Sequence, residues 1–336
     1  MVADTLKRPL KDLRISVTDR CNFRCTYCMP LDQYEWINKR EILTFEEIGR
    51  IARLAVGLGV EKIRLTGGEP LVRQDLPRLI EKLSTIQELK DLCLTTNGAL
   101  LSEQINALTN AGLKRVNISI DTLDPAKFKA MTKRGDLDRV LEGIFAAKSA
   151  GLVPIKLNAV VERGVNDDDI VPLVEFARQH GFGMRFIEYM DVGNSNHWTS
   201  SKLVPKKEIL AKINARYPLR EIGRFQGSAP AVDYEFVDGA GDLGVIASVT
   251  EPFCGSCTRL RLTADGKMVT CLFSQVGHDI KALLRAGATD DELASFLSSL
   301  WRNRADRYSV ERLEALNSAS YDPAGHRKIE MISLGG

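Results

Sequence analysis

The chain has 336 residues, 44% hydrophobic and 27% charged, and its 46 basic and 44 acidic residues leave a net charge of +2. That composition fits a soluble globular protein with a sizeable core and gives no bulk-charge reason to expect nucleic acid or an anionic membrane as partner. No run approaches the about 18 consecutive apolar residues of a membrane span, and residues 1–11 lack the apolar stretch of a signal peptide. Seven cysteines without a secretory signal point to a reducing, cytoplasmic setting. The length allows either two domains or one larger α/β barrel.

In chain order, strand-like runs cover 13–18, 63–66, 91–96, 115–120, 154–160 and 184–190. Amphipathic helical segments at 44–58, 75–86, 102–111, 137–150 and 167–180 alternate with them. Thr44 with Glu47 reads as a capping box, whereas Ser102 has Ile105 at the corresponding position and is a weaker cap. Gly59, Gly112, Gly151 and Gly181 stand where helices end. Strands and helices in strict alternation predict parallel strands with right-handed crossovers.

The strands alternate in a telling way. Leu13, Ile15 and Val17 share one face while Arg14, Ser16 and Thr18 share the other. The same division separates Ile63 and Leu65 from Arg64 and Thr66, and Leu92 and Leu94 from Cys93, Thr95 and Asn97. It recurs with Val116 and Ile118 against Asn117, Ser119 and Asp121, and with Ile155 and Leu157 against Lys156 and Asn158. A closed eight-stranded barrel fills its interior with branched apolar side chains, and a doubly wound sheet buries both faces. A polar second face instead predicts an incomplete, wider barrel around a cavity for a polar ligand.

Beyond residue 190 the pattern changes. Residues 191–201 read as a polar loop or lid, and 206–215 as a short helix. Strands follow at 232–237, 244–249, 259–263 and 267–271, with Asp265-Gly266 as a hairpin signal. Helices at 280–285 and 290–302 precede an arginine-rich polar tail. The expected division is a core over residues 5–227 and a C-terminal region over 228–336.

Two groups of cysteines carry the chemistry. Cys21, Cys25 and Cys28 form C-x3-C-x2-C at the exit of the first strand, and Gly67-Gly68-Glu69-Pro70 follows the second. Thiolates suit iron–sulfur clusters or zinc, and structural zinc usually has paired knuckles closing a shell of four ligands. Three cysteines in one loop favour a cluster with one iron left open. Cys254, Cys257 and Cys271 form C-x2-C-x13-C, where a three-cysteine zinc site is the strongest alternative. Arg259 and Arg261 follow on one side of a strand; they read either as a solvated basic face or as a clamp for a polyanion. Cys93 stands alone in a strand and reads as a small packed residue.

The cysteine loop together with the GGEP stretch resembles the radical S-adenosylmethionine superfamily. Both cysteine motifs, the Arg-x-Arg between them and the terminal Gly335-Gly336 together resemble the GTP 3′,8-cyclases of molybdenum cofactor synthesis. The resemblance implies an incomplete (βα)6 barrel, TIM-like, whose C-terminal β-rich and helical extension covers the open side. It implies a lyase that abstracts hydrogen from the ribose C3′ of GTP with a 5′-deoxyadenosyl radical, after which C3′ attacks guanine C8.

By the same resemblance Cys21, Cys25 and Cys28 would hold one [4Fe–4S] cluster, and Cys254, Cys257 and Cys271 a second. Tyr27, Gly68, Ser119 and Met190 would contact S-adenosylmethionine. Arg14, Arg64, Thr95, Lys156, Arg259, Leu260 and Arg261 would bind GTP, and Gly335 with Gly336 would form an activating tail. It also implies a homodimer and a cyclic pyranopterin monophosphate synthase as the next enzyme. A radical peptide modifier and a zinc or iron–sulfur scaffold are the competing readings.

Overall fold

The computed structural model describes residues 2–29, 34–194, 196–318, 320–322 and 328–335. Six strands follow one another as parallel neighbours in chain order: β1 Asp12–Ser16, β2 Lys62–Thr66, β3 Asp91–Thr96, β4 Arg115–Ser119, β5 Lys156–Val161 and β6 Gly183–Glu188. The crossovers contain α1 Phe45–Gly57, α2 Leu76–Ser84, α3 Leu101–Asn110, α4 Pro125–Thr132, α5 Leu137–Ser149 and α6 Ile170–His180. Thr44 and Glu47 exchange both capping-box bonds at the start of α1. Leu13, Ile15, Ile63, Leu65, Leu94, Val116, Ile118 and Leu157 are fully buried with the apolar helix faces, as the alternation requires.

The sheet does not stop at these strands. Among the described residues it has twelve, including β7 Leu219–Gly223, β8 Val232–Phe236, β9 Asp242–Ile246, β10 Arg259–Leu262, β11 Lys267–Val269 and β12 His278–Asp279. Strand β10 pairs parallel with β1 in the register Arg14↔Arg261, and β9 pairs parallel with β6. The C-terminal strands thus extend both edges of the six-stranded run, and the sheet ends on β12 and β7 without closing. Outside it lie α7 Lys206–Asn214, α8 Ile280–Arg285, α9 Asp290–Arg302, α10 Tyr308–Asn317 and α11 Met331–Leu334.

Several expectations need correction. Helix α4 was not anticipated, although Asp124 caps it by accepting from the Lys127 N–H and Pro125 sits in its first turn. Strand β7 is mostly exposed (Leu-Arg-Glu-Ile-Gly), so it shows little of the alternation that marks a half-buried strand. The expected 167–180 helix begins at Ile170 because Asn166 holds the preceding turn, accepting from Glu162 N–H and donating to Asp121 and Val160 carbonyls. The tail contains α10 with Arg312 fully buried; an arginine is inside only because a carboxylate is waiting for it.

Candidate active site

The exits of β1 and β2 are locked together by backbone. Gly68 donates to the Thr18 carbonyl and Glu69 to the Arg20 carbonyl, each at 2.8 Å. A Cβ on Gly68 would stand 2.4 Å from the Arg20 oxygen, and one on Gly67 (φ +153°) 2.6 Å from the Thr18 oxygen. The glycine pair therefore lets the GGEP turn press against the segment that presents Cys21. The Glu69 side chain fastens the other flank: its carboxyl accepts from Leu71 N–H (3.0 Å), Thr96 Oγ1 (2.7 Å) and Asn97 N–H (2.7 Å). Burial nevertheless pushes this carboxyl up to about 7.

Cys21, Cys25, Cys28, Cys254, Cys257 and Cys271 are all free of disulfides and line a single cavity. The same cavity is lined by Tyr27, Gly68, Ser119 and Met190, and by Arg14, Arg64, Thr95, Arg259 and Arg261. Its volume, mouth included, is about 1840 Å³. Lys156 is not among the lining groups: it opens β5, in register with Asn117 and Gly183, with Arg185 among the charges around it. Leu260 faces away from Arg259 and Arg261, and its side chain lies in the hydrophobic core. It does not line the cavity.

The electrostatics single out Cys257. Burial raises Cys21 and Cys28 to about 12 and carries Cys25 well above an ordinary thiol, with nearby Glu69, the other cysteines and Asp121 adding to the rise. Burial likewise raises Cys271 to about 12. At Cys257 burial also opposes ionisation, but Arg259 and Arg304 outweigh it and hold the thiol at about 6. Both guanidiniums approach its sulfur to 3.2 Å. Tyr27 donates to Asp121 at 2.7 Å, and burial pushes the Asp121 carboxyl up to about 6.

The cations are crowded. Burial, then Arg261, Arg64 and Arg259, make the charge on Arg14 costly and bring its pKa well down; burial and Arg259 bring Arg261 to about 10. An anion in the cavity would reverse the like-charge part of that penalty. Among the described residues, Thr95 Oγ1, both polar atoms of Asn117 and Asn158 Oδ1 are buried without a hydrogen-bond partner. They lie on neighbouring strands β3, β4 and β5; Thr95 and Asn158 line the cavity, where a polar ligand would satisfy them, whereas Asn117 lies behind its wall.

The C-terminus reaches this site. Helix α11 buries Ile332 and Leu334, and Gly335 follows at φ +69° against Thr66 and Gly67. The Gly335 carbonyl accepts from Arg261 Nη1 at 3.1 Å. Gly336 lies outside the described residues.

The donor chemistry suits an iron–sulfur cluster, since each triad offers three sulfurs beside cations that suit an anionic ligand, although among the described residues no three His, Cys, Asp or Glu side chains are grouped as ligands of a metal ion. Residues 15–177 match the model of the Radical SAM superfamily, and residues 182–310 that of Molybdenum Cofactor Synthesis C. A GTP 3′,8-cyclase of Acidothermus cellulolyticus is 49% identical, covering 100% of this chain and 99% of the relative. The chain belongs to the GTP 3′,8-cyclase family. Cyclases of Xanthomonas axonopodis (45% identity, 99% and 98% covered) and Staphylococcus carnosus (44%, 100% and 99%) are similar over the same extent. Streptococcus suis SuiB bound to S-adenosylmethionine shares the fold at TM-score 0.62, with 17% identity over 97% of this chain and 78% of that one.

Several buried charged residues at and near the site carry little or no signal in the sequence alone. Arg185 follows the inward alternation Gly183–Arg185–Ile187, so its signal was present in β6. Arg304, which also lines the cavity, and Asp191, beside Met190, gave no local signal because their burial depends on distant partners. No helix among the described residues is long and apolar enough to cross a membrane.

Proposed function

We propose that this chain converts GTP to (8S)-3′,8-cyclo-7,8-dihydroguanosine 5′-triphosphate, the first step of molybdenum cofactor biosynthesis. The observation that carries this reading is that both cysteine triads and four arginines (Arg14, Arg64, Arg259 and Arg261) line one cavity. Cys21, Cys25 and Cys28 would hold one [4Fe–4S] cluster, and Cys254, Cys257 and Cys271 a second. A cluster held by Cys21, Cys25 and Cys28 would supply the one electron needed to cleave S-adenosylmethionine to methionine and a hydrogen-abstracting 5′-deoxyadenosyl radical.

The protein's own part is positional. Tyr27, Gly68, Ser119 and Met190 hold S-adenosylmethionine on the side of the first triad. The four arginines take the triphosphate and Thr95 contributes a hydroxyl, with Lys156 contributing charge from beyond the cavity lining. The Leu260 backbone lies between Arg259 and Arg261. Gly335, held by Arg261, limits how the substrate sits. Residues 5–227 form the radical-generating core and 228–336 carry the second triad and the tail. The enzyme works in the cytoplasm as a homodimer and passes its product to a cyclic pyranopterin monophosphate synthase.

The test is an anaerobic incubation of reconstituted, reduced protein with S-adenosylmethionine and one nucleotide at a time. 5′-Deoxyadenosine and the cyclised product should form with GTP and not with ATP. Equal turnover of ATP, or of a peptide, would overturn the substrate assignment. Metal analysis giving zinc and no iron would overturn the radical chemistry.

A further inference from the structure

The second triad is held by charges that the cyclisation chemistry itself does not call on. Arg304 lies just beyond α9, and its guanidinium stacks 4.6 Å from the Trp301 ring. Its Nε donates to Asp306 at 2.9 Å, and Asp4 stands 3.7 Å from its Nη1. So fixed, it directs two bonds at one ligand residue: Nη1 to the Cys257 carbonyl at 2.8 Å and Nη2 to the Cys257 sulfur at 3.2 Å. Arg8 reaches the first cysteine of the triad at its backbone only, donating to the Cys254 carbonyl at 2.8 Å. Asp4 anchors Arg8 at 2.5 Å, and Trp301 Nε1 donates to the Arg8 carbonyl at 3.0 Å.

Arg304, Arg8 and Asp4 have side chains at most 2% exposed, which is uncommon for such groups unless they are paired. The arrangement also explains residues 2–10, which wrap under the triad and bury Val2 and Leu10. The N–H···S contacts are uneven: Cys257 receives Arg304 and Arg259, while no side-chain donor reaches the sulfurs of Cys254 or Cys271 among the described residues. Hydrogen bonds and positive charge at a cluster sulfur favour the more reduced, more negative state and raise the reduction potential.

We propose that Arg304, locked by Asp4, Asp306 and Trp301, is a positioning residue that fixes Cys257 and raises the potential of the cluster held by the second triad. Arg8 fixes Cys254 in the same frame. This rests on the reading that the second triad holds a cluster of its own, and the experiment separates the two ideas.

Iron is first counted in the reconstituted full-length protein and in a variant carrying Cys21→Ala, Cys25→Ala and Cys28→Ala. About eight and about four irons per chain are expected for two cubanes. An iron-free triple variant would overturn the second-cluster reading, and the Arg304 proposal with it. Given the second cluster, its midpoint potential is read by redox titration with electron paramagnetic resonance in the triple variant, with and without Arg304→Gln. The expected result is a shift to lower potential. Full iron content at an unchanged potential overturns the proposal. Should Arg304→Gln lose the cluster altogether, the potential is read in Arg304→Lys, which keeps the charge but cannot span both Cys257 atoms. A lowered potential there supports the assignment, and an unchanged one overturns it.

Discussion

Replacing Asp191 by asparagine should cost the protein a large part of its stability. Asp191 follows Met190 and is 2% exposed. Its carboxylate accepts from Arg312 Nη1, Tyr321 OH, Tyr308 OH (2.5 Å) and Lys328 Nζ (2.8 Å). Arg312 and Lys328 have side chains 0% and 2% exposed, so solvent does little to screen either cation. An amide keeps one acceptor oxygen but no charge. Arg312 would retain the Ser248 carbonyl and Lys328 the Asp191 carbonyl, with two buried cations otherwise unbalanced.

Breaking such a buried pair costs about 3–5 kcal/mol. The two pairs share one anion, so the figure is not doubled. Against a total stability of about 5–15 kcal/mol this is readily measured as a lowered midpoint in anaerobic urea unfolding. Burial works against ionisation of Asp191, but Arg312 and Lys328 outweigh it and hold the carboxyl below its ordinary 3.8. Because the folded pKa is depressed, this contribution is present above about pH 4 and is lost as pH falls further. Asp191→Asn should therefore flatten the acid limb of the stability curve, while Asp191→Asn with Arg312→Met and Lys328→Met should recover much of the loss. A loss under about 1 kcal/mol, the range of exposed pairs, would refute the reasoning.

Other outcomes follow from the same geometry. Deleting Gly335 and Gly336 should leave iron content and thermal unfolding unchanged but abolish GTP cyclisation; full turnover by the truncated enzyme would contradict the tail's role. Gly335→Ala should act similarly, because its Cβ would fall 2.3 Å from Thr66 Cγ2 at a left-handed backbone position. Arg259→Ala or Arg261→Ala should weaken GTP binding in equilibrium dialysis while slow, uncoupled cleavage of S-adenosylmethionine persists, and an unchanged affinity would count against the phosphate clamp. Gly68→Ala should lower the iron content of the reconstituted protein, since its Cβ would press on the Arg20 carbonyl just before Cys21; an unchanged iron content would remove that explanation.

Much of this architecture is local. Strand alternation at Leu13/Arg14 or Val116/Asn117 is imposed by the pleat, so the burial of one face and the polarity of the other follow from residue order alone. The spacings C-x3-C-x2-C and C-x2-C-x13-C, and the Thr44–Glu47 cap, are equally legible. What residue order does not give is the neighbour of each edge strand. Cys254–Cys271 lines the same cavity as Cys21–Cys28 because β10 pairs with β1, partners about 250 residues apart in sequence, as in Leu13↔Leu260. The fate of charge is likewise tertiary: Arg304 and Arg312 look like members of a solvated tail until Asp4, Asp306 and Asp191 are brought to them, since only a partner makes burying a guanidinium tolerable. The sequence by itself determined the cysteine spacings, the polar second face of the strands and their parallel alternation with helices. Only the tertiary structure decided that both triads share one cavity and that Gly335 packs against Thr66 and Gly67 and binds Arg261 at its wall, because those contacts depend on sheet order and charge pairing across the whole chain.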